Sequence, residues 1–153
     1  YDFSIFDIKK FGSVKRFKKF TIFSLETMSG IANDEEGVKF LKNQLNIKAI
    51  ESSSPRALSY AKKNGLITIQ TIFTFDSKSI EKAVILRNEI KPDFIDIRPG
   101  FPLLKFKEVL HSIIQFNVIC SGLITSKKEI ELLLECGAVG VTTSKKEMWN
   151  LYY

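Results

Sequence analysis

The sequence predicts an α/β chain of repeated strand-then-helix units, the larger part of a small parallel barrel, and three observations predict it. Short apolar runs recur at residues 20–25, 48–50, 66–70, 93–97, 117–121 and 138–142. Each precedes a helix-like pattern, the alternation that lays helices over a parallel sheet. Helix-capping residues fall shortly after the runs, and glycines fall just before two of them.

Taken in order, the elements are marked by local chemistry. The segment 8–20 carries lysine or arginine at 9, 10, 15, 16, 18 and 19 with Phe11, Phe17 and Phe20 between them. Asn33 or Asp34, before Glu35 and Glu36, starts the first capped helix, along which Val38, Leu41 and Leu45 keep helical spacing. Ser54 before Pro55 starts the next, since proline is tolerated in a first helical turn. Ser77 before Ser79 and Ile80 starts a third, with Ala83, Val84 and Ile90 continuing its apolar stripe. Pro102 follows the turn Pro99-Gly100 and opens a fourth, which contains His111. Ser126 with Glu129, and Ser144 with Glu147, have the spacing of capping boxes, and Ile130, Leu133 and Leu134 form the stripe after the first of them. Gly65 and Gly137 end helices and hand the chain to strands at Leu66 and Ala138. The unit length suits either an open doubly wound sheet or a barrel.

With 153 residues, 44% of them apolar, the chain is read as a single domain over 1–153. No apolar run reaches the length of a membrane span, and the first residues lack the pattern of a secretory signal, so the expected location is the cytoplasm with no membrane partner. Cys120 and Cys136 have no CxxC pairing and no nearby histidine, and are read as buried free thiols without a metal. Lysine and arginine number 23 against 17 acids, a net charge of +6 that permits contact with nucleic acid through counterion release. No GxGxxG or GxxxxGK[ST] sequence is present, which lowers the case for a dinucleotide or P-loop nucleotide.

Function concentrates at the ends of strands. Ile119-Cys120-Ser121-Gly122-Leu123-Ile124 and Gly140-Val141-Thr142-Thr143-Ser144 each run from a strand into a small-residue turn. In barrels the loops after the last two strands offer backbone N–H groups to a phosphate. Ser121, Gly122, Thr142, Thr143 and Ser144 are therefore phosphate-site candidates; the plainer alternative is a tight turn and a helix cap. Glu26, Gly30, Gln70, Asp96 and Arg98 are pocket candidates by the same position, against the alternative of ordinary partners among neighbouring strand ends. Asp93 is expected to open a strand at the opposite rim. His111 reads as an ordinary helix-face residue, and no catalytic triad, carboxylate pair or metal cluster can be assembled, which argues against hydrolysis, so no catalytic residue is assigned. Lys15, Arg16, Lys18 and Lys19 could face RNA with phenylalanines for stacking, or belong to an amphipathic helix with solvated lysines and a buried aromatic stripe.

Several phrases in order resemble the glycerol-3-phosphate-responsive antiterminators. They are Ser29-Gly30 with Asn33-Asp34-Glu35 and Gly37, Gly65-Leu66-Ile67-Thr68-Ile69-Gln70 with Phe73 and Asp76-Ser77, and Lys91-Pro92-Asp93-Phe94-Ile95 with Pro99-Gly100. Ser121-Gly122-Leu123-Ile124, Gly137-Ala138-Val139, Val141-Thr142-Thr143-Ser144 and Trp149 complete the set, which runs from residue 21 to residue 151. The resemblance implies a TIM-like (β/α) barrel, incomplete here with about six parallel strands, the first one or two strand-helix units of the family barrel being absent. It also implies a regulator that binds glycerol 3-phosphate as effector, needs no cofactor, and then binds the leader of a glycerol-utilisation messenger RNA to prevent a terminator hairpin. An open barrel has two sheet edges that favour a second copy, so a homo-oligomer is expected.

The chain departs from the family pattern at defined places. Relatives usually have Asp-Leu-Val-Glu-Gly where this chain has Glu26-Thr27-Met28-Ser29-Gly30; their lysine aligns with Ser54, their arginine with Thr71, and their Gly-Gly-Leu-Ile with Ser121-Gly122-Leu123-Ile124. Each lost charge-assisted hydrogen bond is worth about 1.5–3 kcal/mol. Arg98, where relatives usually carry an apolar residue, is the candidate for a substitute cation. Three readings follow: an effector-gated RNA-binding antiterminator, a phosphate-binding barrel enzyme using Glu26 or Asp96 as base, and a relative that no longer binds the effector.

Overall fold

The computed structural model describes residues 3–4, 21–74, 76–100 and 116–149. The segment 5–20, Pro102 and His111 lie outside the described residues, as do the side chains of Ile80, Ala83 and Val84. The chain forms two compact units: one takes the described residues up to Gln70 with Ile90–Asp93, the other Thr71–Glu89 with those from Phe94 onward.

The first unit runs β1 (Phe3–Ser4), β2 (Ile22–Ser24), a 3-10 turn (Leu25–Thr27), β3 (Met28–Ser29), α1 (Glu35–Leu45), β4 (Ala49–Ser52), α2 (Pro55–Lys63) and the first residues of β5 (Ile67–Phe73). β2, β4 and β5 are parallel neighbours, with Ile22 opposite Ala49 and Ser52 opposite Gln70. Asp34 starts α1 by accepting the Gly37 N–H at 2.9 Å, and Glu35 and Glu36 oppose the positive end of the helix. Asn46, in the left-handed region at φ 51°, ends it. Ser54 accepts from Ala57 N at 3.3 Å to cap α2, whose first residue is Pro55. Ile50 packs with Val38 and Leu41 of α1 and Ala57 and Ala61 of α2, all fully buried. Each aliphatic side chain as large as leucine contributes about 1.5–3 kcal/mol by leaving water.

The second unit continues from β5 through α3 (Ser77–Ile90) to β6 (Phe94–Arg98), β7 (Val118–Ser121), α4 (Lys127–Glu135), β8 (Gly140–Thr142) and a 3-10 turn (Lys146–Met148). Strand order is β2-β4-β5 in the first unit and, from β5 on, β5-β6-β7-β8 in the second, the six parallel strands of a TIM-like (β/α) fold. Ile95 lies opposite Val118, Ile97 opposite Cys120 and Ser121 opposite Thr142. Ile95, Ile97, Val118 and Cys120 pack with Ile130 and Leu133 of α4. Because side chains alternate along a strand, Asp96, Ile119 and Ser121 occupy the other face.

All six predicted strands are present, with ends that differ by at most three residues. The β1–β3 pair, Phe3 with Met28 and Ser4 with Ser29, was not foreseen. Two caps differ. Asp76, not Ser77, caps α3: its Oδ1 accepts from Ser79 N at 2.7 Å and Ser79 Oγ at 2.6 Å, while Ser77 is already helical. Ser144 caps no helix, because the chain there makes only a three-residue 3-10 turn that has Lys145 at its start and no side-chain cap. Gly65 (φ 69°) and Gly137 (φ 99°) follow α2 and α4 as expected.

Candidate functional site

The described C-terminal ends of β6, β7 and β8 carry a continuous chain of polar contacts. Asp96 and Arg98 share one face of β6, two residues apart, and Arg98 Nε donates to Asp96 Oδ2 at 2.5 Å. Ser121 Oγ, at the end of β7, donates to Asp96 Oδ1, also at 2.5 Å. Ser121 Oγ and Thr142 Oγ1, opposite each other on β7 and β8, are 2.6 Å apart. Asp96 is 2% exposed, Ser121 is buried, Arg98 is half-buried and Thr142 is exposed, so the chain runs from the interior to the surface. A buried carboxylate is tolerable only when paired and hydrogen-bonded, and both Asp96 oxygens are.

Turns hold this chain in place. Gly100 N donates to Ser121 O at 2.7 Å, and a Cβ on Gly100 would lie 2.8 Å from the Cys120 Cβ, so only glycine lets the turn after β6 lie against β7. After β7, Gly122 (φ 79°) and then Leu123 (φ 58°) are both left-handed, and Leu123 is 67% exposed. Thr143 Oγ1 donates to Ile124 O at 3.0 Å and accepts from Lys145 N at 3.2 Å, while Trp149 Nε1 donates to Thr143 O at 2.9 Å. The loop after β8 is thereby tied to the loop after β7. Ser144 is exposed. On the other side of β7, burial first and then the charge of Asp96 and the nearby Cys136 push the Cys120 thiol up to about 12. Cys136 is half-buried, not buried as its sequence suggested, and both cysteines are free.

In the first unit a second polar group forms around Glu26, in the 3-10 turn after β2. Its Oε1 accepts from Ser52 Oγ at 2.8 Å, Ser53 N at 2.6 Å and Ser53 Oγ at 3.0 Å. Gly30 (φ 86°) ends the next turn and is exposed, as is Ser29. Gln70 lies opposite Ser52, in the same alternation as Ile50, which puts it on the helix-packed face of β5. It is 2% exposed and its Oε1 has no hydrogen-bond partner among the described residues. Ser54 serves as the cap of α2, and Thr71 is buried. Asp93 Oδ2 accepts from Thr68 N and Oγ1, each at 2.8 Å, before β6 begins; it belongs to the rim at the strand starts, as the sequence indicated.

Asp96, Arg98, Ser121 and Thr142, singled out from sequence by position, are brought into one hydrogen-bonded chain. Sequence reasoning missed Ser52 and Ser53 as partners of Glu26, and missed Glu51, 7% exposed within β4. The signal for Glu51 was available, since an acid inside a strand of a parallel sheet is buried on one face or the other. Lys15, Arg16, Lys18 and Lys19 lie outside the described residues. Among the described residues no group of acids, cysteines and histidine could hold a metal ion, and no helix is long and apolar enough to cross a membrane.

Parallel βα units with a polar cluster at the strand ends define a protein of the TIM-like (β/α) class. Residues 1–149 match the glycerol-3-phosphate responsive antiterminator family, and the chain belongs to it. It is similar to the glycerol uptake operon antiterminator regulatory protein of Listeria monocytogenes, with 25% identity, a TM-score of 0.89, and coverage of 99% of this chain and 82% of that one. A glycerol uptake operon antiterminator-related protein of Thermotoga maritima shares the fold at 24% identity and a TM-score of 0.86, over 97% of this chain and 84% of that one. In sequence it is 28% identical over 141 residues to YgcP, an uncharacterized protein of Escherichia coli, covering 90% of this chain and 72% of that protein.

Proposed function

We propose that this chain is a cytoplasmic RNA-binding antiterminator that regulates glycerol utilisation in response to glycerol 3-phosphate, and that it is not an enzyme. The observation that carries the reading is the chain Arg98-Asp96-Ser121-Thr142 beside the left-handed turn at Gly122, in a member of this family. The phosphate is held by backbone N–H groups along Ser121–Gly122 and Thr142–Ser144, with Arg98 a cation of the same cluster. Gly122 supports this, because a backbone without a side chain lets an anion approach its N–H groups. Lys15, Arg16, Lys18 and Lys19 contact the phosphates of a messenger RNA leader. By linkage, an effector that raises RNA affinity is itself bound more tightly when RNA is present.

The test is a calorimetric titration with glycerol 3-phosphate, with glycerol and inorganic phosphate as controls, followed by gel-shift of a glycerol-operon leader RNA at rising effector. Saturable binding of glycerol 3-phosphate alone, together with RNA affinity that rises with it, is the expected result. RNA binding that ignores the effector sinks the gating. Absence of both interactions sinks the whole reading.

A further inference from the structure

The polar chain across β6, β7 and β8 has a direction. A serine hydroxyl carries one proton. Ser121 gives its proton to Asp96 Oδ1 at 2.5 Å, so across the 2.6 Å contact with Thr142 the serine oxygen accepts and Thr142 is the donor. The only proton of the Thr142 hydroxyl is thereby turned inward, and its exposed side offers lone pairs. Asp96 sets this polarity. Both of its oxygens accept, Oδ2 being held by Arg98 Nε at 2.5 Å, and at 2% exposure the carboxylate has no water to turn toward.

A phosphate oxygen is an acceptor and gains nothing from outward lone pairs, and the Arg98 charge is already opposed by Asp96. A hydroxyl is a donor and fits. We infer that Thr142 accepts a hydrogen bond from a hydroxyl group of the bound compound, and that Asp96, acting through Ser121, is the positioning residue that keeps Thr142 an acceptor. The cluster then selects hydroxylated phosphate esters over bare ones, and the phosphate itself is left to the backbone of the turns at Gly122 and at residues 143–144. This inference rests on the effector reading above and assigns the two ends of the ligand within it.

The experiment compares glycerol 3-phosphate with n-propyl phosphate, which has the same ester and carbon count but no free hydroxyl, by calorimetry on the wild-type chain, Thr142→Val and Asp96→Asn. The wild type is expected to prefer glycerol 3-phosphate by about tenfold or more, because a site built to bond a hydroxyl rejects the analogue lacking it. Thr142→Val, an isosteric change at an exposed position, is expected to reduce that preference to about twofold. Asp96→Asn turns its amide N–H toward Ser121 while its oxygen keeps Arg98, reversing the chain, and is expected to remove or invert the preference. A preference unchanged in Thr142→Val, or equal weakening of both compounds there, overturns the inference while leaving the effector reading intact. If the wild type binds neither compound, both fail. Thr142→Val decides the question even where Asp96→Asn does not fold.

Discussion

Cys120 and Ser121 are neighbours on β7 whose side chains face opposite ways, and their chemistry diverges accordingly. Ser121 bonds Asp96 on the polar face. Cys120 sits in the apolar layer with Ile97 and Leu133, where burial, then Asp96 and Cys136, push its thiol up to about 12. Only the thiolate is a competent nucleophile, and at pH 8 a thiol of that acidity is about one part in ten thousand ionised. Iodoacetamide at pH 8 should therefore modify the half-buried Cys136 of the native chain and leave Cys120 intact, with both modified in denaturant. Peptide mass analysis reads the outcome, and rapid native labelling of Cys120 would mean that the layer around β7 opens. At this scale the sequence was informative about which residues matter and silent about their bonds. Asp96, Arg98, Ser121 and Thr142 stand out as polar residues at strand ends. Their connection needs the β6–β7–β8 register, which places Ile97 opposite Cys120 and Ser121 opposite Thr142 and which no local pattern encodes.

Helix α4 shows an element whose start is written entirely in local chemistry. Ser126 Oγ accepts from Glu129 N at 3.3 Å, and Glu129 Oε2 accepts from Ser126 N at 2.9 Å and Thr125 N at 2.6 Å, a complete capping box. Those backbone donors, Thr125 first, hold the Glu129 carboxyl below its ordinary value of 4.5. A carboxyl depressed in the folded state stabilises it above the unfolded value, and that contribution is lost as pH falls through the folded value. Ser126→Ala should cost about 1 kcal/mol near neutral pH, as cap removal generally does. Glu129→Gln should flatten the decline of the urea midpoint below pH 4.5, because its replacement has no proton to take up. A Glu129→Gln midpoint that keeps the wild-type acid slope would show that other carboxylates govern it. Caps at Asp34, Ser54 and Ser126 were legible for the same reason they work, since donor and acceptor lie three residues apart. At α3 two oxygen-bearing residues stand side by side, and Asp76, three residues before the Ser79 N–H, is the one that caps, Ser77 being already in the helix. At Ser144 the spacing of a box is present but only a three-residue turn follows. The β1–β3 pair is two residues long, too short to leave any periodicity, and Glu26 meets Ser53 across 27 residues of chain.

For the molecule as a whole, the charge balance bears most directly on what it binds. Lysine and arginine exceed acids by six in 153 residues, and four of the excess cations, Lys15, Arg16, Lys18 and Lys19, fall within five positions. Each cation that neutralises a phosphate of single-stranded RNA releases counterion, lowering the slope of log affinity against log salt by about 0.7. If those four contact the leader RNA, replacing all of them with alanine should make the slope shallower by about 3 and weaken binding most at low salt. Net charge would fall from +6 by four, so a general loss of attraction must be separated from loss of contacts. Replacing Lys62, Lys63, Lys127 and Lys128, all exposed on helices α2 and α4, makes the same charge change elsewhere. Fluorescence anisotropy of a labelled leader between 50 and 200 mM salt, the range over which such slopes separate well, compares the two variants. A large slope change in the first and a small one in the second assigns RNA contact to the basic N-terminal segment. Equal changes in both would mean that overall charge alone attracts the RNA, and the helix reading of residues 8–20, with solvated lysines over buried phenylalanines, would then account for that segment.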